Sequence, residues 1–344
     1  NIAMVGLGGI KPFHLHGIQH STYLNLVGGV DINPEIVAIT DSTVRVPVYR
    51  KLSELFRDIP SVEAVVLAVP SAYKMPLARQ VLGEGKSVLL EKPVALEEVD
   101  YRKLLQDFPS QQPAIECANH AAFNFCVLWM KNALKRREGK IEHDDWGQLV
   151  HILMEKYDPY VRNGRLASSP EKGSGWDTWP NMLAELRTLV GDTFTVNDAA
   201  YNNTSIQHCI EAAATIEGTF TGGTFVGETD WIQKPYSGGH TSQKDTTLIF
   251  EKNGKKTAVV MELVSQKIFV AENYDENNPS TAHKVLHQDF NRFGGRMLSE
   301  YVGIYRQFVE VLMGLRTDNR QLGLTIIAEM EKARAIAMSK IQKY

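Results

Sequence analysis

Gly6-Leu7-Gly8-Gly9 follows directly on a short apolar run, Ile2 to Val5, and Asp31 comes twenty-five residues after Gly6 at the end of a second apolar run. Glycines placed there let backbone amides at a helix start approach a pyrophosphate, and an acid at that distance can accept both hydroxyls of an adenosine ribose. A carboxylate would repel a 2′-phosphate, and no Arg or Lys follows Asp31 until Arg45, so the pattern favours NAD over NADP. The third glycine of a GxGxxG run is missing, its place taken by Lys11. Gly6, Gly8 and Gly9 therefore also read as a plain tight turn, and Asp31 as the opening of the turn at Asn33-Pro34. Two later apolar runs end in Pro70-Ser71 and in Glu91-Lys92-Pro93. Ligands of parallel sheets bind outside such strand ends, although a lysine there, taken alone, reads as a solvated side chain.

The elements that must position these residues follow from the apolar pattern. Ile2 to Val5, Leu24 to Val30, Ala64 to Val69, Ser87 to Leu90 and Ala114 to Cys117 are too short for helices and alternate with amphipathic stretches such as Lys51 to Arg57 and Met75 to Glu84. This predicts an α/β fold beginning with a doubly wound parallel sheet, a Rossmann domain over residues 1–119. A second α/β domain, 120–344, is predicted to open with one helix near Phe123 to Arg137 and to carry a large open antiparallel sheet over Leu149 to Val270. Asn253-Gly254 and Gly222-Gly223 read as hairpin turns. Tyr301, Tyr305, Phe308 and Leu312, then Ile326, Met330, Ala333, Ala337 and Ile341, predict two closing helices in this second domain.

Of 344 residues, 43% are apolar and 22% charged, and the net charge is −3. No basic block is long enough to track a nucleic acid, so a small solute is the expected partner. No run of eighteen apolar residues suggests a membrane span, and no basic stretch followed by an apolar segment opens the chain. Cytoplasmic location is the expectation, with residues preceding Asn1, since the chain opens inside an apolar run. Cys117, Cys126 and Cys209 have neither disulfide nor zinc spacing and read as buried apolar side chains. His14, His16 and His20 cluster without a carboxylate or cysteine, so no metal site is expected.

The glycine turn, the Asp31 spacing, Pro70-Ser71 and above all Glu91-Lys92-Pro93 resemble the glucose-fructose oxidoreductase, inositol dehydrogenase and rhizopine catabolism family. That resemblance implies NAD contacts at Gly6, Gly8, Gly9, Asp31, Pro70 and Glu91, and Lys92 as the catalytic group at the reacting carbon. The family's second motif, roughly D-x-G-x-H-x-x-D, corresponds here to Asp177-Thr178-Trp179-Pro180-Asn181 followed by Ala184. Asn181 stands where the histidine is usual, and an amide cannot take a proton, so the histidine-based mechanism cannot operate unchanged. The L-arabinose and D-galactose 1-dehydrogenases of the family also carry Asp-x-x-x-Asn, and Glu155 and Trp231 add similarity to that branch, although Trp179 replaces a family glycine.

The resemblance implies an NAD-dependent sugar or polyol dehydrogenase, with C1 of an aldose one candidate carbon. Lys92 would take the hydroxyl proton, Asp177 would share it or orient the hydroxyl, and Asn181 and Glu155 would hold other hydroxyls. His120 either touches substrate or packs at a domain junction. Tyr160, Arg162, Trp176 and Trp179 border the Asp177 segment and suit a sugar face or a core equally. The alternatives are a non-catalytic NAD-binding sugar sensor and a ketoreductase of nucleotide-linked sugars. An open sheet face calls for a homodimer or homotetramer.

Overall fold

The computed structural model describes residues 1–36, 46–158, 173–202, 212–231, 242–275, 284–288 and 294–341. The chain divides into two compact units, Asn1–His120 with Met297–Ala328, and Ala121–Arg296 with Glu329–Tyr344. In the first, β1 (Ile2–Val5), β2 (Leu26–Val30), β3 (Val48–Tyr49), β4 (Ala64–Leu67), β5 (Ser87–Glu91) and β6 (Ile115–Ala118) form a parallel sheet ordered β3-β2-β1-β4-β5-β6. This is the doubly wound order of dinucleotide-binding folds. Helices α1 (Lys11–Gln19), α2 (Leu52–Asp58), α3 (Ser71–Gly83) and α4 (Glu98–Asp107) alternate with the strands. Strands β1, β4 and β5 are buried along their whole length, as covered parallel strands must be, which is why they read as unbroken apolar runs. The five predicted strands are present within two residues of their expected ends. The two-residue β3 was not predicted, being too short to make an apolar run.

The second unit opens with a 3-10 turn (His120–Phe123) and α5 (Phe125–Ala133). The helix predicted to reach Arg137 stops earlier, because Lys135–Arg137 is a strand, β7. It folds back through Glu138 (φ 46°) and Gly139 (φ 74°) onto β8 (Lys140–His143). The sheet continues with β9 (Gly147–Tyr157), and helix α6 (Gly173–Val190) leads to β10 (Phe194–Asn202), β11 (Ala213–Phe220) and β12 (Gly223–Asp230). Then come β13 (Gln243–Lys252), β14 (Lys255–Glu262), β15 (Lys267–Glu272) and β16 (Lys284–Gln288). The order is β10-β11-β12-β9-β13-β14-β15-β16, with β7 and β8 attached off β9. The expected antiparallel sheet is mixed, since β9 and β12 pair in parallel. A connection containing α6, β10 and β11 separates those two strands and gives the chain room to return in the same direction. Asn253 (φ 54°) and Gly254 (φ 72°) make the predicted turn between β13 and β14. At the other hairpin the loop is Thr221-Gly222, and Gly223 already pairs with Phe220.

Helices α7 (Arg296–Leu312) and α8 (Arg320–Ile341) were expected in the second domain, yet residues 297–328 belong to the first unit. The reason is the edge strand β6, whose Ile115 and Cys117 amides donate to Asp318 Oδ2 at 2.8 Å and Asn319 Oδ1 at 2.6 Å. Side chains of the α7–α8 connection thus satisfy an edge that would otherwise be open. From Glu329 on, α8 serves the second unit, where Glu329 Oε2 accepts the Val196 N–H of edge strand β10 at 2.7 Å.

Gly17 brings α1 against α7, since a Cβ there would lie 2.3 Å from Tyr305 Cδ2 and 2.9 Å from Tyr301 O. Gly17→Ala should therefore lower stability by about 1–3 kcal/mol through overpacking, read from urea midpoints. An unchanged midpoint would show that the contact between these helices is not tight.

Candidate functional site

Strands β1, β2 and β4 end on a cavity of about 660 Å³ whose wall includes Gly6, Gly8, Asp31, Arg50, Lys51 and Pro70. It lies outside the carboxyl ends of the strands, where the strand order reverses. Gly6 is required by the fold itself, with φ +85° and a Cβ that would lie 2.4 Å from Ala68 O. Gly8 and Gly9 differ, because a Cβ on either would meet no protein atom, so packing does not require glycine at these two positions. Asp31 Oδ2 accepts the Leu7 N–H at 2.8 Å and Oδ1 the Asn33 N–H at 2.9 Å. The carboxylate both starts the Asn33 turn and braces the glycine turn, and each oxygen retains a second lone pair for a hydroxyl. Ile32 and Tyr73, 75% and 59% exposed on this wall, present apolar surface suited to a flat aromatic ring.

The expectation that no cation stands near Asp31 is corrected. Asp31 N–H donates to Tyr49 O at 3.0 Å, so the residues after β3 lie beside those after β2, and Arg50 Nη2 donates to Ile32 O at 3.2 Å. Counting along β2 could not find a cation supplied by the neighbouring strand. Arg45 lies outside the described residues, and Gly9 and Glu91 are not on the cavity wall.

At the end of β5, Lys92 is half-buried and its N–H donates to Glu91 Oε2 at 2.9 Å. Glu91 Oε1 accepts the Tyr301 hydroxyl and lies 3.2 Å from His14 Nε2, while His14 Nδ1 bonds Tyr305 OH at 2.9 Å. Burial pushes the Glu91 carboxyl up, but the hydrogen bond and charge of His14, with the Tyr301 bond and the His120 charge, outweigh it and hold the group at about 2. Glu91, expected to touch cofactor, is thus an ionised internal brace. Behind the same turn the ammonium of Lys74, 2% exposed, donates to the carbonyls of Glu91 and Pro93 at 2.7 and 2.6 Å. His120 is buried, bonds Glu300 Oε2 at 2.8 Å and stacks on Tyr301, so of its two readings the structure shows packing. Neither His14 nor Lys74 was assigned a role from sequence. The signal for Lys74 was its place among Ser71, Met75, Ala78 and Val81 on the buried stripe of α3, where a lysine is out of pattern.

In the second unit every residue of α6 from Gly173 to Leu186 is buried except Asp177 and Asn181, four apart on one helix face. Asn181 Oδ1 is shielded from water and accepts no hydrogen bond, a deficiency that a ligand hydroxyl would cure. Trp179 stacks on Tyr201 and Trp176 lies under Arg334, so both pack within the unit. Trp231 is 2% exposed, and its backbone N–H donates to Ala212 O at 2.8 Å, which makes it core rather than a contact for a solute.

Glu155 does not share the α6 face. Its neighbour Lys156 is buried, with Nζ 3.0 Å from Glu185 Oε2 of α6, and alternation along β9 turns Glu155 to the opposite side of the sheet. There Tyr157 OH lies 3.3 Å from both Glu155 and Glu228, and burial, with the charges of Asp245 and Glu228, raises the Glu155 carboxyl. The pairing of Glu155 with Asn181 around one solute is corrected accordingly. Tyr160, Arg162 and Cys209 lie outside the described residues, and Cys117 and Cys126 are buried free thiols. Among the described residues, no group of three His, Cys, Asp or Glu could hold a metal ion, and no helix is long and apolar enough to cross a membrane.

Residues 1–115 match a family model described as an oxidoreductase family with an NAD-binding Rossmann fold, Gfo/Idh/MocA. No curated protein matches the chain in sequence. Solved structures share the fold over nearly the whole chain. An oxidoreductase from Agrobacterium radiobacter, in complex with NAD+, L-tartaric acid and magnesium, has a TM-score of 0.76 at 13% identity, covering 98% of this chain and 96% of its own. Levoglucosan dehydrogenase, in complex with NADH and levoglucosan, has a TM-score of 0.75 at 13% identity over 98% and 97%. The WlbA dehydrogenase from Bordetella pertussis, in complex with NADH and UDP-GlcNAcA, has a TM-score of 0.73 at 18% identity over 98% and 95%.

The Glu91 carboxyl falls from its ordinary 4.5 to about 2 on folding, so its contribution is complete above pH 4.5 and disappears as pH drops toward 2. Unmodified protein should exceed Glu91→Gln by about 3 kcal/mol in urea unfolding at pH 7, with the gap narrowing below about pH 4.5. A gap independent of pH would mean that Glu91 is neutral in the fold. At the cavity, Arg50→Ala should weaken NADP binding about 10-fold and NAD binding less, followed by cofactor fluorescence. Equal losses would place Arg50 against the adenine instead of a 2′-phosphate.

Proposed function

We propose that this protein, whose N-terminal domain belongs to the NAD-binding Rossmann fold of the Gfo/Idh/MocA oxidoreductases, is an NAD-dependent dehydrogenase acting on a CH–OH carbon of a sugar or polyol. One observation carries the reading: the cavity that joins the glycine turn to Asp31 belongs to the same parallel sheet whose next strand, β5, ends on Lys92. Gly6, Gly8 and Pro70 would line the dinucleotide, Asp31 would accept its ribose hydroxyls, and Ile32 and Tyr73 would flank its adenine. When bound, NAD supplies the hydride acceptor. As the C–H bond breaks, the hydroxyl on that carbon must lose its proton, and we assign Lys92 as the acceptor. Asp177 orients that hydroxyl or shares its proton. Asn181 selects among epimers, because its unmet oxygen accepts a hydroxyl that a wrong epimer cannot offer. C1 of an aldose is the first carbon to test, and self-association through the sheet face bearing Glu155 is expected.

Two second readings have specific support. Asn181 in the histidine position, with Ala184 fully buried where an aspartate is usual, suits a cofactor-binding sugar sensor. The other is a ketoreductase of nucleotide-linked sugars, motivated by the fold shared with the WlbA dehydrogenase in complex with NADH and UDP-GlcNAcA.

Lys92→Ala should lower turnover about 100-fold or more and leave NAD affinity within about threefold, as expected for loss of a general base. Asn181→Ala should raise KM and weaken discrimination between epimers. NADH production across aldopentoses, aldohexoses and inositols reads both variants. An unchanged rate in Lys92→Ala would move the base to another residue, with Asp177 the next candidate. Activity appearing only in Asn181→His with Ala184→Asp would favour the sensor.

A further inference from the structure

Lys74 is a charged residue among the largest fully buried side chains of the first unit, on the stripe of α3 that otherwise carries Ser71, Met75, Ala78, Val81 and Leu82. Its Nζ lies 2.7 Å from Glu91 O, 3.3 Å from Lys92 O, 2.6 Å from Pro93 O and 3.5 Å from Ser71 Oγ. Three successive carbonyls converging on one nitrogen match the three N–H donors of an ammonium; a neutral amine has only two, and its lone pair would face an acceptor. Three converging carbonyl dipoles repel one another unless a cation lies between them. The turn and the cation therefore require each other. On the opposite side of the same peptide, Glu91 Oε2 accepts the Lys92 N–H at 2.9 Å.

We propose that Lys74 is the positioning residue for Lys92, fixing the backbone from which the Lys92 side chain projects and setting the electrostatic balance around it. The proposal rests on Lys92 being the proton acceptor. A buried ammonium that served packing alone would be replaced without loss by methionine, which fills nearly the same volume with no desolvation cost. Two consequences follow from the geometry. The direction of the Lys92 Cα–Cβ bond is set by a peptide bonded at both its N–H and its C=O. Among the described residues, the charged groups around this turn include the Glu91 carboxylate on β5 and the Lys74 ammonium on α3, with His14 of α1 and Tyr301 of α7 against Glu91 and the His120–Glu300 pair beside Tyr301. The Lys74 ammonium lies on the backbone of the same turn, where its positive charge disfavours a second ammonium on Lys92. Removing Lys74 takes a positive charge out of the turn, and Lys92 should then release its proton only at higher pH.

The test compares unmodified protein with Lys74→Met, which removes charge and donors, and Lys74→Gln, which keeps an amide donor. Competitive acetylation with acetic anhydride across pH, read on the Lys92 peptide by mass spectrometry, gives the Lys92 titration midpoint without requiring turnover. Steady-state kinetics, NAD titration and circular dichroism accompany it. In Lys74→Met the Lys92 midpoint should rise by about one unit. Its kcat should fall about 100-fold, the scale of misplacing a reacting group, with KM and NAD affinity within about threefold. Lys74→Gln should recover part of kcat with the midpoint still raised. An unmoved midpoint with unchanged kcat in a folded variant would overturn the proposal, as would loss of the fold in both variants, which would make Lys74 a structural ion. A raised midpoint in a protein that reduces no NAD on any sugar supports the grip on Lys92 and counts instead against the dehydrogenase reading.

Discussion

The Glu91–Lys92 peptide is bonded on both sides, its N–H to the Glu91 carboxylate and its C=O to the Lys74 ammonium, and the first unit is assembled around that grip. Glu91 reaches back to His14 on α1 and to Tyr301 on α7, so one carboxylate ties the sheet to two helices far apart in sequence. Buried charges cost stability unless each is met by opposite charge or by aligned dipoles. Here Glu91 has His14, a tyrosine hydroxyl and a backbone amide, and Lys74 has three carbonyls. Such a network tolerates little rearrangement, because releasing any member strands another in a low-dielectric interior. A rigid strand end is what a reacting group requires.

The same logic, with the sign reversed, marks the candidate residues of the second unit. Along α6 almost everything from Gly173 to Leu186 is buried and packed, and the two half-exposed side chains, Asp177 and Asn181, are the polar pair that the sequence singled out. One of them leaves an oxygen without a donor. Ser174 Oγ and Trp179 Nε1 of the same helix also lack a partner, but of these three only Asn181 Oδ1 belongs to a side chain that is not fully buried, so it is the one a solute can reach.

Much of this was legible in the sequence because it depends on local pattern. Strands β1, β4 and β5 are covered on both faces and read as apolar runs, and Asn253-Gly254 has the conformations that its turn requires. What was not legible depends on adjacency across the sheet or between distant segments. Arg50 stands beside Asp31 only because β3 pairs with β2. Glu155 and Lys156 are neighbours in sequence, yet one faces α6 and the other does not. Residues 297–328 join the first unit because Asp318 and Asn319 happen to satisfy the β6 edge, which no periodicity could announce. Lys74 was visible as a lysine on an apolar stripe, but its partners are carbonyls, which carry no sequence signal.

If a hydride leaves a sugar or polyol carbon for NAD, isotope transfer detects it most directly. The protein would be incubated with NAD and with aldoses deuterated at C1, alongside uniformly deuterated inositols and nucleotide-linked sugars, and the reduced cofactor analysed by mass spectrometry and proton NMR. Deuterium is expected at C4 of the nicotinamide from at least one aldose or polyol, together with a slower rate than with the unlabelled sugar. Tight NAD binding with no labelled cofactor from any of these substrates would contradict it and leave a protein that binds the dinucleotide without using it.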